Sequence, residues 1–145
     1  MGFSIRPMTQ PLPPGPFETI YCDPPWAFKT RGKNGHGRSA ERHYPTMPLR
    51  EIKELPVQDI AAPDCHLFMW TTGPAPAAAF EVIKACGFKY SGIGFVWIKL
   101  NKGEPAFWMT ERDFFTGMGY TRRKNAELCL LARRGSPKRL RKDNS

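Results

Sequence analysis

Ile20-Tyr21-Cys22-Asp23-Pro24-Pro25-Trp26 combines an apolar run with four residues that cannot continue it. Phe17 to Cys22 has the composition of a core strand. Proline lacks a backbone donor and fixes φ, so the chain must leave the sheet at Pro24. The product is a stiff loop at the carboxyl end of a strand. In open α/β sheets, ligands bind at that edge.

The chemistry of the loop suits an exocyclic amine. An ionised Asp23 only accepts hydrogen bonds. The Pro24 carbonyl is a second acceptor, and Pro25 has no N–H to compete for it. Two acceptors converging on an NH₂ group would aim its lone pair at an electrophile. Trp26 offers a flat face on which a purine could stack. An ordinary Asp-Pro turn is the plainer reading; the indole and the strand before it favour a site.

Asp23-Pro24-Pro25-Trp26 resembles the catalytic motif of the adenine-N(6) methyltransferases, the family of the eukaryotic messenger-RNA adenosine methyltransferase and of many phage and bacterial DNA enzymes. Five further segments resemble the family in order. They are His43-Tyr44-Pro45-Thr46-Met47, Leu67-Phe68-Met69-Trp70-Thr71-Thr72, and Gly87-Phe88-Lys89-Tyr90 with Phe95-Val96-Trp97-Ile98-Lys99. Gly117-Met118-Gly119-Tyr120 and Asn125-Ala126-Glu127-Leu128-Cys129-Leu130 complete the set. The resemblance runs from about residue 17 to about residue 135. It implies a methyl transfer from S-adenosyl-L-methionine to the amine of adenine in nucleic acid, DNA more than RNA. It also implies catalytic roles for Asp23, Pro24, Pro25 and Trp26, and a place near the cofactor for Asp23 and Asn125.

The chain departs from the family after the last expected strand. Relatives continue with further segments that complete the sheet and much of the cofactor pocket. Here the sequence turns into the basic tail 136–145. The resemblance therefore implies a Rossmann-like α/β sheet incomplete at its C-terminal side, with truncation, a frameshifted gene or a partner chain as explanations. A catalytically inactive nucleic-acid-binding subunit, or a remnant of the enzyme, is the alternative reading.

Composition agrees with one domain. There are 145 residues, 41% hydrophobic, with ten Phe and four Trp, enough for a core. No apolar run approaches a membrane span. No cleavable leader is evident, so a cytoplasmic protein is expected. Cys22, Cys65, Cys86 and Cys129 are widely spaced within or beside apolar segments, which reads as buried free thiols. The absence of a Cys-x-x-Cys pair argues against zinc. A formal net charge of +9 favours a polyanionic partner such as nucleic acid.

Three segments follow: a Pro-rich stretch 1–16, a methyltransferase domain 17–135 and the tail 136–145. Within the domain, helical spacing predicts a helix over Pro48–Leu55 and another from Pro74 or Pro76 to Cys86, ended by Gly87. Strands are expected over His66–Thr72, Tyr90–Leu100 and Glu127–Ala132. The near-continuous apolar strand His66–Thr72 predicts a sheet covered on both faces. Alternating strands and helices predict a largely parallel sheet. Residues 29–42 lack the apolar groups to fold alone and read as a lid or a plain exposed loop.

Nucleic-acid contacts are expected from Lys29, Arg31, Lys33 and Arg38 in that loop, and from His43 beside it. Tyr120, Arg122, Arg123 and Lys124 would contribute from a second loop, unless that run is only solvated charge. His66 reads as a satisfied core histidine. Trp97 and Trp108 read as core or loop anchors. Gly117-x-Gly119 lacks the context of a dinucleotide fingerprint.

Overall fold

The computed structural model describes residues 11–27, 45–72, 76–102, 109–117 and 125–139. Four strands form one mixed sheet: β1 (Phe17–Cys22), β2 (Ala61–Thr71), β3 (Lys89–Trp97) and β4 (Glu127–Arg134). Three helices, α1 (Leu49–Lys53), α2 (Val57–Ile60) and α3 (Pro76–Ala85), lie between β1 and β3 in the chain. Strands alternating with helices make this an α/β fold.

The strand order is β1-β2-β4-β3. β1 pairs with β2 in parallel, whereas β4 runs antiparallel to both β2 and β3. The expectation of a largely parallel sheet is therefore corrected. β1, β2 and β3 share one direction, but β4 inserts between β2 and β3 in the opposite one. Between Trp97 and Glu127 the described residues hold only the short turn Glu111–Asp113. The chain re-enters running backwards, as antiparallel pairing allows.

One face of the sheet carries the core. Leu67 and Met69 of β2 and Leu130 and Ala132 of β4 are buried against Ala79, Val82 and Ile83 of α3 and Ile52 of α1. Two-residue alternation along the strands puts these four side chains on one side. α3 starts at Pro76, where a missing N–H costs nothing. It ends at Gly87, whose φ of 78° lies in the left-handed region. The Gly87 N–H bonds Lys84 O at 3.1 Å and the Phe88 N–H bonds Ile83 O at 3.0 Å. This is a Schellman cap, with Phe88 buried behind it.

The other face carries aromatic side chains. Among the described residues no helix covers it, and β2 is apolar there for another reason. His66, Phe68 and Trp70 are half-buried by neighbouring aromatic rings. β2 is also longer than expected: it begins at Ala61, directly after the unexpected turn α2. The stretch Pro11–Pro16 lies close to this turn. A side chain at Gly15 would meet Ile60 O at 2.4 Å, so only glycine permits the approach.

The four cysteines are free thiols; Cys65, Cys86 and Cys129 are buried and Cys22 is half-buried. Burial first, then the neighbouring Cys86, Cys129 and Asp23, pushes the Cys22 thiol up to about 12. Among the described residues no helix is long and apolar enough to cross a membrane.

Candidate active site

Strand directions bring one end of every strand to the same edge. The carboxyl ends of β1, β2 and β3 meet the amino end of β4 there. That edge carries Asp23 after β1, Trp70 to Thr72 at the end of β2, Trp97 and Lys99 at the end of β3, and Asn125 and Glu127 at the start of β4.

The loop Asp23–Trp26 is held by its backbone and by its indole. Trp26 N–H bonds Pro24 O at 2.8 Å, Met47 N–H bonds Pro25 O at 2.8 Å, and Trp26 bridges Met47 in parallel. The Trp26 side chain is 3% exposed and its Nε1–H donates to Trp70 O at 3.0 Å. This corrects the stacking role expected of Trp26. A buried ring has no open face for a base; here the ring nails the loop to the end of β2. The Pro24 carbonyl keeps one lone pair, the other being taken by Trp26 N–H.

Asp23 is the exposed member of the loop. Among the described residues, no hydrogen bond engages its carboxylate. Partial burial first, and then the Glu127 carboxylate, raises its pKa above the ordinary value. The raised acid has a thermodynamic sign. Its contribution to stability is full below the unfolded pKa and is lost as pH rises through the folded one. Asp23→Asn should therefore melt above the wild type at pH 7. The gap in Tm should narrow on acidification toward pH 4; a gap that widens would contradict the raised pKa.

Aromatic groups stand along the same end of the sheet as Asp23. Tyr21 is 63% exposed, and its hydroxyl accepts a hydrogen bond from Trp70 Nε1–H. Trp97 is 54% exposed, edge-on to Trp70 at 6.3 Å between centroids. Lys99 Nζ lies 5.2 Å from the Trp97 ring centre and pairs with Glu127. Thr72 Oγ1, one residue past β2, is buried and has no hydrogen-bond partner among the described residues. Trp108 lies outside the described residues; Trp97, read as a core or loop anchor, is a half-open ring at the end of β3. The signal was the two-residue alternation Tyr21-Asp23 and Phe95-Trp97-Lys99, which sets each series on one face.

Asn125 reaches this edge but is fully occupied as a donor. Its Nδ2 group donates to Lys99 O at 2.9 Å and Phe115 O at 2.7 Å, and its Oδ1 accepts from Lys99 N–H at 2.6 Å. Both amide hydrogens tie the residues just after β3 to the segment 109–117 as a backbone clamp. Asn101 adds to it, donating to Arg112 O at 2.8 Å. Lys29, Arg31, Lys33, Arg38, His43, Tyr120, Arg122, Arg123 and Lys124 lie outside the described residues.

A cavity of about 390 Å³ adjoins the site along the outer edge of β1. Ile20 and Cys22, Ile52, Val57 and Met69 line it, with Asp23 and Pro24 at one end. S-adenosyl-L-methionine carries an ammonium, a carboxylate and a ribose diol. Against these the cavity lining offers one carboxylate, Asp23, and an otherwise mainly apolar wall. The described residues do not fit the whole cofactor.

The site can be compared with known proteins. A type II methyltransferase, M.MunI, of Mycoplasma sp is 34% identical over 118 residues, covering 71% of this chain and 51% of that protein. The chain thus spans about half the length of the relative it matches. The model of the MT-A70 family matches residues 17–145, from the first residue of β1 through the Asp23 loop and all four strands. With its motif loop at the common edge of a sheet that lies wholly inside that match, the chain belongs to the MT-A70 family.

Proposed function

We propose that this chain is the amine-positioning part of an S-adenosyl-L-methionine-dependent methyltransferase acting on the exocyclic amine of adenine in DNA. The observation that carries the reading is the Asp23 carboxylate, without a hydrogen bond among the described residues, at the end of the sheet that all four strands share. Asp23 accepts from the amine, and the free lone pair of the Pro24 carbonyl accepts the second N–H. An amine that gains a methyl group must shed a proton, and a carboxylate of raised pKa takes it more readily. Pro25 stiffens the loop. Tyr21 and Trp97, in place of Trp26, offer the flat faces that would bound the base. The work of such a site is positioning.

The sheet, in this reading, is part of a Rossmann-like sheet. β1 borders β2 on one side only among the described residues, and an apolar cavity runs along its other side. These features are consistent with further strands along the free side of β1.

Two measurements test the reading. Transfer of a labelled methyl group to adenine-containing oligonucleotides should yield N(6)-methyladenine after digestion, with DNA preferred to RNA. Label on cytosine alone would overturn it. Calorimetry on the chain alone should give an S-adenosyl-L-methionine Kd near or above ~1 mM, about −4 kcal/mol. Low-micromolar binding would show that the chain already holds a complete cofactor pocket.

A further inference from the structure

The ladder between β3 and β4 ends at the pair Trp97 and Glu127. Two residues further along each chain, the same antiparallel register sets Lys99 opposite Asn125. There the Asn125 side chain stands in for a strand backbone. Its Oδ1 accepts from Lys99 N–H at 2.6 Å, and its Nδ2 donates to Lys99 O at 2.9 Å. Phe115 N–H also donates to Lys99 O, at 3.0 Å, and Phe115 O takes the second amide hydrogen at 2.7 Å. Both backbone groups of Lys99 are thus bonded beyond the end of its strand, where a chain would otherwise fray.

A fixed backbone aims the side chain. Lys99 Nζ pairs with the Glu127 carboxylate and lies 5.2 Å from the Trp97 ring centre, within reach of a cation–π contact. The two side chains are 35% and 28% exposed, so salt screens this pair less than an open surface pair. Strand order gives the contact a direction. β4 lies between β2 and β3, and Asp23 follows β1 on the far side of β2. Lys99 therefore holds the Glu127 carboxylate on the side of β4 away from Asp23.

Glu127 shares a face with Trp70 and Cys129, the residues level with Asp23 in the sheet. The titratable groups around Asp23 are Tyr21 and Cys22 on β1, Cys129 and Glu127 on β4, and Lys99 after β3. The Tyr21 hydroxyl is engaged with Trp70. Burial raises both thiols, Cys22 to about 12, so neither is charged while a carboxyl titrates. Glu127 is the neighbour whose charge reaches the Asp23 carboxyl.

We infer that Lys99 and Asn125 are positioning residues for Asp23: Asn125 fixes the Lys99 backbone, Lys99 holds the Glu127 carboxylate toward β3, and Asp23 faces a partly neutralised pair instead of a free negative charge. The inference deepens the methyltransferase reading and rests on it for the use of Asp23 as an acceptor. A free like charge beside a carboxyl favours its protonated form. A protonated Asp23 presents an O–H to the amine in place of an acceptor.

The test reads the Asp23 proton directly, with neither cofactor nor substrate. Carbon-13 NMR follows the side-chain carboxyls of the full chain from about pH 3 to about pH 8. Lys99→Met keeps the apolar stem and removes the charge; it should raise the Asp23 pKa by about half a unit, and Lys99→Arg should return it. Glu127→Gln should lower the Asp23 pKa by a similar amount. In the Glu127→Gln background Lys99→Met should add little, because Lys99 acts through Glu127. Asn125→Ala should shift Asp23 in the direction of Lys99→Met, by less. Amide spectra confirm that each variant is folded, and Lys99→Gln replaces Lys99→Met if the latter does not fold.

An Asp23 titration that ignores Lys99 and Glu127 overturns the inference. So does an equal shift by Lys99→Met in the Glu127→Gln chain, which would make the effect of the lysine direct. A merely structural pair would lower the Tm of these variants and leave the Asp23 titration in place. That result removes the positioning role and leaves the methyltransferase reading intact. Shifted titrations in a chain that transfers no methyl group to any oligonucleotide uphold the arrangement around Asp23 and remove the methyltransferase reading.

Discussion

Asp23→Ala abolishes methyl transfer in a protein that still folds. The expected loss is about a hundredfold or more, by the scale on which displaced positioning groups act. Asp23 sits one residue beyond β1, is exposed, and has no hydrogen bond among the described residues. Removing it therefore takes away no support from the fold. It does take away the acceptor that would hold the amine and receive its proton. Asp23→Asn keeps the shape and one acceptor oxygen but cannot accept that proton, so turnover should stay low. The assay is label transfer to an adenine oligonucleotide by the chain, alone or with a polypeptide that completes the sheet, beside a thermal melt. Undiminished turnover by a folded Asp23→Ala protein would remove the carboxylate from the chemistry.

Trp26→Ala acts on the opposite quantity. The indole is 3% exposed, belongs to the core, and holds Trp70 O through Nε1. Truncating a buried Trp costs about 3–5 kcal/mol. Stability of about 5–15 kcal/mol makes that a large fraction, and Tm should fall by about 10 °C or more. Trp26→Phe keeps most of the packing but leaves Trp70 O without its donor, a cost of about 1–3 kcal/mol. Denaturant melts of the two variants check the order. A Trp26→Ala protein as stable as the wild type would show that the ring anchors nothing. Any lost turnover in Trp26→Ala then reads as a loosened loop, since both prolines are tied to it through Met47 and the Pro24–Trp26 turn.

The local features of this fold were legible in the chain. Pro24 and Pro25, one residue beyond the run Ile20-Tyr21-Cys22, end β1 at Cys22 because a proline cannot donate to the ladder. Gly87 closes α3 because only glycine takes a φ of 78° without strain. The alternation of Leu67 and Met69 with Phe68 and Trp70 assigns two faces to β2. The loop Asp23–Trp26 could be placed at the carboxyl end of a strand from the same local rules.

The rest depended on pairings between distant residues. Nothing near Glu127 states that β4 inserts between β2 and β3 in reverse; that follows only once the strands compete for hydrogen-bond partners. The antiparallel insertion carries Glu127 to the Asp23 edge, where its charge adds to the effect of burial on the Asp23 carboxyl. Trp26 and Asn125 look like ligand contacts when read as residue types. Tertiary structure commits both elsewhere, because a buried indole N–H and an amide must find partners and the nearest are the carbonyls of Trp70, Lys99 and Phe115. Tyr21 and Trp97 took the opposite path. Their types suit a core, and only the absence of a covering helix among the described residues leaves them open beside the site.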